Sequence, residues 1–114
     1  MPYIEVKLTA ALDGGKKISV IEKIENAVSG NFRKPKNFVM AEIKDNSPLR
    51  MGGEPVKKGA YISVSLFGEI TKPACAACTS EICSVLKKEL NIEGSNVYIV
   101  YHPENFWGWD RQMF

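Results

Sequence analysis

The sequence predicts an α/β fold of two βαβ halves, in which four strands form one sheet and two helices cover one of its faces. An internal repeat is the main reason: residues 3–8 (YIEVKL) resemble residues 61–66 (YISVSL), 58 positions later. In both segments apolar and polar side chains alternate, which is typical of a strand with one apolar face. Each segment is followed by a turn, a helical stripe and a second β-rich run, so the whole unit occurs twice.

Apolar residues at helical spacing predict one helix in each half. The first helix follows the glycine-rich turn at residues 13–15, and Gly30 is predicted to stand just after its last turn. Pro73 suits the first turn of the second helix. The stripes are Val20, Ile21, Ile24, Ala27 and Val28 in the first helix and Cys75, Cys78, Ile82, Val85, Leu86 and Leu90 in the second. The closing strands are predicted at residues 38–43 and 97–101, each parallel to the first strand of its half.

The length of 114 residues predicts a single domain, with halves at about 1–58 and 59–114. Lys and Arg number 15 against 13 Asp and Glu, a net charge of +2 without a dense basic run. We therefore expect neither nucleic acid nor a membrane as a partner. The N-terminus lacks the pattern of a signal peptide, and the three cysteines fit a reducing compartment, so a cytoplasmic location is expected.

Pro2 is the first candidate for chemistry. Methionine before a small second residue is usually removed, and Pro2 would then carry a free secondary amine. An α-amino group titrates near ~8, and burial lowers its pKa, so such an amine can act as a general base at neutral pH. The alternative is a proline that merely begins a strand, where the missing N–H costs nothing. Both interpretations remain open from Pro2 alone.

Other features of the sequence are also candidates. Lys34 lies in a basic loop after the first helix, where it would either neutralise an acidic substrate or simply be solvated. Cys75 and Cys78 have redox spacing, but they share an apolar helical stripe and are better interpreted as core residues. Zinc is poorly supported, because His102 is the only histidine beside the three cysteines. The aromatic C-terminal segment, residues 106–114, either folds back on the core or walls an apolar pocket.

These features together resemble the macrophage migration inhibitory factor family of the tautomerase superfamily. Met-Pro opens the first strand, Lys34-Pro35 follows the first helix, and Met-Gly-Gly at residues 51–53 precedes the third strand. Phe67-Gly68 ends that strand, and Val-Tyr-Ile at 97–99 is followed by Trp-Gly-Trp at 107–109 and a terminal Phe114. The resemblance runs over residues 2–114 and implies a homotrimer whose three sheets enclose a channel, with active sites between subunits.

The resemblance also implies the site and its reaction. Pro2 would be the catalytic base, Lys34 and the backbone N–H of Phe67 would bind the substrate carboxylate, and Tyr98 would come from the adjacent subunit. The hydrophobic walls would be Phe38, Trp107, Trp109 and Phe114. The implied reaction is keto–enol tautomerisation of an aromatic α-keto acid such as phenylpyruvate, with dopachrome-type isomerisation as an accompanying activity. No cofactor or metal is required for it.

Two positions depart from the family pattern. Val100 stands where many members have Asn two residues after the pocket tyrosine, which removes a polar contact and affects substrate scope. Leu66-Phe67-Gly68 replaces the common Ser-Ile-Gly and makes that wall bulkier. The resemblance permits a second function, a cytokine-like ligand of a cell-surface receptor that is secreted without a signal peptide. A third hypothesis, a thiol oxidoreductase built on Cys75 and Cys78, would require a reversible disulfide.

Overall fold

The computed structural model describes residues 1–114, the whole chain. In chain order the elements are β1 (Pro2–Leu8), α1 (Gly14–Phe32), β2 (Met40–Lys44), β3 (Arg50–Met51), β4 (Glu54–Pro55), β5 (Ala60–Phe67), α2 (Lys72–Leu90), β6 (Val97–Glu104), β7 (Gly108–Trp109) and β8 (Gln112–Met113). Short 3₁₀ turns at Lys36–Phe38 and Gly94–Asn96 lead into β2 and β6.

The main sheet has the strand order β2-β1-β5-β6. Strands β1 and β2 are parallel, as are β5 and β6, whereas the central pair β1 and β5 is antiparallel. Alternate residues of β1 and β5 are buried, and they pack against both helices in one core of 16 apolar side chains. The predicted fold of two βαβ units with both helices on one face is therefore confirmed.

The ends of α1 are set by local hydrogen bonds. At its start the Asp13 carboxylate accepts a hydrogen bond from the backbone N–H of Lys16 at 2.7 Å, the usual role of an N-cap aspartate. At its end Arg33 takes the left-handed conformation, with φ of 55°, and its N–H donates to the carbonyl of Ser29. The prediction that Gly30 follows the last turn is wrong, because the helix continues to Phe32 before the chain reverses.

In α2 the side chain of Thr71 accepts from the N–H of Ala74 at 3.2 Å, and Pro73 lies in the first turn as predicted. The stripe differs at its first member. Cys75 is only half-buried, while Cys83 packs against the core beside the fully buried Cys78. Neither helix contains a stretch long and apolar enough to cross a membrane.

The closing strands differ from their predicted bounds. Phe38 belongs to the 3₁₀ turn before β2 and not to the strand, because the carbonyls of Pro35 and Lys36 accept from the N–H groups of Phe38 and Val39. Strand β6 continues past residue 101 to Glu104. This extension brings the end of β6 level with the first residue of β1, where the candidate site lies.

Two short hairpins complete the chain. Gly52 and Gly53 connect β3 to β4 with positive φ angles of 62° and 82°, which glycine adopts without a steric penalty. Asp110 and Arg111 connect β7 to β8, also with positive φ angles. This C-terminal hairpin folds back toward the N-terminus and forms part of the candidate site.

Candidate active site

Strand pairing brings three chain segments together at one end of the sheet. Pro2 pairs with Leu66 near the end of β5, and Leu66 pairs with Pro103 near the end of β6. Because β1 runs antiparallel to β5, the start of β1 meets the ends of the two neighbouring strands. The N-terminus is thereby fixed at the rim of a rigid sheet, and Pro2 itself is buried.

A cavity of about 390 Å³ opens beside Pro2. Its volume is in the range of sites for small organic molecules. The lining residues are Met1, Pro2, Tyr3, Asn37, Phe38, Val39, Met40, Trp107, Gly108 and Trp109. The structure thus brings together Pro2 and three of the four aromatic residues that the resemblance implied as walls.

The aromatic wall is held together by ring contacts. Phe38 meets Trp109 edge to face, with ring centroids 5.5 Å apart, and Trp109 is stacked on Phe114 at 6.3 Å. Phe114 in turn contacts Phe67 at 5.8 Å. The backbone N–H of Phe114 donates to the carbonyl of Trp107 at 2.9 Å and closes the hairpin. The C-terminal aromatics therefore fold back to wall the cavity, although Phe106 is 83% exposed.

The peptide groups of Phe67 connect the wall to the N-terminus and to a cation. Its N–H donates a hydrogen bond to the carbonyl oxygen of Met1 at 3.2 Å. Its own carbonyl accepts a hydrogen bond from Lys34 Nζ at 3.0 Å. Phe67 and Lys34 do not line the cavity directly, but they stand beside its N-terminal edge, where an acidic group could be received.

The electrostatics of this edge favour a neutral amine. Burial lowers the pKa of the Met1 α-amino group, and the positive charge of Lys34 lowers it further. Both effects disfavour a second positive charge at this place. An amine located here is therefore more readily neutral, and able to accept a proton, than one in bulk water.

Tyr98 is not brought to this cavity. It pairs with Tyr61, which pairs with Lys7, at the opposite end of the sheet from Pro2. Tyr98 and Pro103 are five positions apart in sequence, which corresponds to about 16 Å along a strand. Tyr98 is 64% exposed and lines a separate cavity of about 410 Å³ that includes the β3–β4 hairpin. Within one chain, Tyr98 and Pro2 cannot act on the same small molecule.

Sequence reasoning missed two polar residues that line the cavity, Tyr3 and Asn37. Asn37 lies in the 3₁₀ turn with Phe38, and Tyr3 follows Pro2 on β1. Their neighbours in sequence were the available signal, because both residues flank a predicted site residue. The prediction of a strand over residues 38–43 did not include the 3₁₀ turn, which directs this segment to the cavity rim.

The cysteines lie elsewhere. Cys78 is fully buried on α2, and burial raises the pKa of its thiol to about 11. Burial also raises the pKa of Cys75. A thiol with a raised pKa is a poor nucleophile at neutral pH, which argues against a redox site here. No three His, Cys, Asp or Glu residues are grouped closely enough to hold a metal ion.

Comparison with known proteins agrees with this geometry. The model of the macrophage migration inhibitory factor (MIF) family matches residues 1–110. Comparison with curated proteins finds no match. Among solved structures, Leishmania major MIF2 is 24% identical with a TM-score of 0.89, and the match covers 100% of this chain and 97% of that one. The macrophage migration inhibitory factor of Toxoplasma gondii is 18% identical with a TM-score of 0.89, covering 98% and 99%.

A third solved structure is more distant. It is a fused 4-OT described as a symmetric trimer, 18% identical with a TM-score of 0.79, and the match covers 90% of this chain and 85% of that one. These identities support the shared fold, and the family model supports membership. The chain belongs to the macrophage migration inhibitory factor family, within the tautomerase superfamily.

Proposed function

We propose that this protein is a keto–enol tautomerase of aromatic α-keto acids such as phenylpyruvate, with dopachrome-type isomerisation as a second activity. Membership of the tautomerase superfamily supports an isomerase in general terms. The observation that carries the specific proposal is the cavity in which Pro2 faces the aromatic rings of Phe38 and Trp109. An apolar cavity beside a candidate base suits a flat aromatic substrate with an acidic carbon.

The proposed mechanism uses the free nitrogen of Pro2 as a general base. It removes a proton from the carbon next to the substrate's ketone, and the electron pair forms the enolate. The protonated nitrogen then returns the proton to the enolate oxygen, which gives the enol and regenerates the base. Lys34 and the N–H of Phe67 bind the carboxylate, which orients the acidic carbon toward Pro2. Substrate and product are isomers, so the step consumes no cofactor.

The proposal requires that Met1 be removed. While Met1 is attached, the Pro2 nitrogen is an amide without a basic lone pair. The Met1 carbonyl also accepts the hydrogen bond of the Phe67 N–H, and Met1 itself lines the cavity. Its removal would therefore free the base, the N–H donor and part of the cavity together.

The active unit that we propose is a homotrimer with sites between subunits. The remote position of Tyr98 supports it, because an adjacent copy can supply the tyrosine that one chain cannot. The sheet also leaves Met40, Tyr98 and Val100 exposed along its edge strands, an arrangement that a neighbouring chain would bury. The fused 4-OT structure, described as a symmetric trimer, shares this fold. Native mass spectrometry should give three chains of 12.7 kDa each.

A second candidate function is a secreted, cytokine-like ligand for a cell-surface receptor. Membership of the MIF family is the observation that favours it. The two functions can coexist, since one uses a cavity and the other a surface. Receptor binding that persists at full strength in a Pro2→Gly protein would assign it to the surface alone.

The test of the proposed enzyme follows the ultraviolet absorbance of the phenylpyruvate enol. Wild-type protein with Met1 removed should interconvert phenylpyruvate and its enol. The Pro2→Gly protein should do so more slowly by about 100-fold or more, the usual contribution of a general base. Equal rates for the two proteins would contradict the role of Pro2. Intact-mass measurement of both proteins ensures that each begins at residue 2.

A further inference from the structure

Lys34 is placed by an unusual turn at the end of α1. The chain reverses at Arg33, whose φ of 55° is a conformation that side chains other than glycine seldom adopt. Lys34 directly follows this corner, and its ammonium group donates a hydrogen bond to the carbonyl of Phe67 at 3.0 Å. Something must therefore hold the turn, because the residue at its corner does not favour it.

Ser29 holds three backbone groups of this turn. Its carbonyl accepts hydrogen bonds from the N–H of Arg33 and from the N–H of Lys34, the latter at 3.0 Å. Its hydroxyl donates to the carbonyl of Lys34 at 2.5 Å. The backbone of Lys34 is thus tied to one residue at both its N–H and its carbonyl. The hydroxyl bond is the only one of the three that depends on the Ser29 side chain.

We propose that Ser29 is a positioning residue for carboxylate recognition, since its hydroxyl fixes the turn that presents the Lys34 ammonium at the Phe67 edge of the cavity. The inference rests on the proposed function, in which Lys34 binds the substrate's carboxylate. Ser29 itself touches no substrate. Its effect should therefore appear in substrate binding, and only for substrates that carry the acidic group.

The chain offers a control on the same turn of α1. The Asn31 side chain donates hydrogen bonds to the carbonyl of Ala27 at 2.7 Å and to the Glu81 carboxylate of α2 at 3.1 Å, and it makes no hydrogen bond to Lys34. Asn31→Ala and Ser29→Ala each remove one side-chain hydrogen bond to the backbone near the end of α1. Both leave the backbone cap formed by Arg33 intact, so a general loosening of the helix end would affect the two variants alike.

The experiment measures KM and kcat of the processed enzyme for phenylpyruvate and for its methyl ester, which lacks the negative charge. Ser29→Ala should raise KM for the acid about three- to tenfold, the usual effect of one hydrogen bond. It should leave kcat within about twofold and leave KM for the ester unchanged. Ser29→Thr, which keeps a hydroxyl, should have the wild-type KM for the acid. Asn31→Ala should leave KM unchanged for both substrates.

A double substitution separates this inference from the proposed function. In a Lys34→Ala background, Ser29→Ala should have no further effect on KM for the acid, because the group it positions is gone. The role of Ser29 is overturned if Lys34→Ala raises KM for the acid but Ser29→Ala does not, or if Ser29→Ala raises KM equally for the acid and the ester. In either case the tautomerase proposal stands. If Lys34→Ala and Pro2→Gly both leave catalysis unchanged, both proposals are overturned.

Discussion

The backbone N–H of Phe67 donates a hydrogen bond to the carbonyl oxygen of Met1 at 3.2 Å. The carbonyl of the same residue accepts a hydrogen bond from Lys34 Nζ at 3.0 Å, so the first residue of the chain sits on the proposed carboxylate site. Removal of Met1 and the ability of the site to bind a carboxylate are therefore linked through one residue, Phe67.

Protein that retains Met1 should be inactive. The Pro2 nitrogen is then an amide, and the Phe67 N–H is occupied, so both the base and one substrate contact are missing. We expect the rate of phenylpyruvate enolisation to fall by about 100-fold or more relative to processed protein. Protein made with methionine aminopeptidase inhibited, and checked by intact mass, provides the comparison. Full activity of a homogeneous Met1 form would contradict a free Pro2 base.

Trp109→Ala should weaken the binding of aromatic substrates. Trp109 contacts the rings of both Phe38 and Phe114, so its loss removes the centre of the wall. We expect KM for phenylpyruvate to rise about tenfold, and KM for the aliphatic 2-oxobutanoate to change far less. Phe106→Ala is the control, because that ring is 83% exposed in the same segment. An equal rise for the aromatic and aliphatic acids would argue that Trp109 supports the fold and not the substrate ring.

Subunit mixing should reveal whether Tyr98 acts in a neighbour's site. The Pro2→Gly and Tyr98→Ala proteins should each be at least about tenfold less active than wild type. If Pro2 and Tyr98 of one site come from different chains, refolding the two variants together creates some sites with both residues intact. We therefore expect activity above the average of the separate proteins. Mixtures that never exceed that average would show that Tyr98 serves no site containing another chain's Pro2.

Low pH should weaken the contact that Glu89 makes between the two helices. Hydrogen bonds from Lys23 and Lys16 of α1 lower the pKa of this α2 carboxylate from its usual 4.5 to about 2. Its contribution to stability is thus complete above about pH 4.5 and is lost as the pH falls toward 2. The free energy of unfolding of Glu89→Gln should fall less steeply than that of wild type across this range.

Urea unfolding at several pH values measures that difference. Glu54→Gln is a suitable control, since Glu54 is exposed and forms no ion pair. Its free energy of unfolding should change with pH as steeply as that of wild type. A Glu89→Gln protein with the same acid sensitivity as wild type would show that the paired lysines do not stabilise the native carboxylate.

The repeat in the sequence was sufficient to predict the sheet and its covering helices. Alternation in β1 and β5 marks the buried face directly, because each apolar position points to the same core. The end of α1 was mispredicted because Gly30 is the local signal for a helix end, whereas the actual reversal occurs at Arg33. Hydrogen bonds from the turn to Ser29 stabilise it there, and sequence preference alone does not show them.

The candidate site was predictable only in part. The resemblance supplied Pro2 and four aromatic residues, and the structure brings Pro2 and three of those aromatic residues to one cavity. Asn37 was missed because its role depends on a 3₁₀ turn in a segment that resembles a strand. The distance between Tyr98 and Pro2 depends on strand register, which neither residue type nor spacing reveals.

The most direct test of the account is the pKa of the Pro2 nitrogen in processed protein, measured by NMR titration of protein labelled with ¹⁵N-proline. Burial and the charge of Lys34 lower the pKa of the Met1 amine, and we expect both to act on the Pro2 amine that replaces it at this edge. We therefore predict a value clearly below ~8, the ordinary range of an α-amino group, and a rise toward that range in Lys34→Ala. A pKa at or above the ordinary range, unchanged by Lys34→Ala, would contradict the claim that this nitrogen is the base.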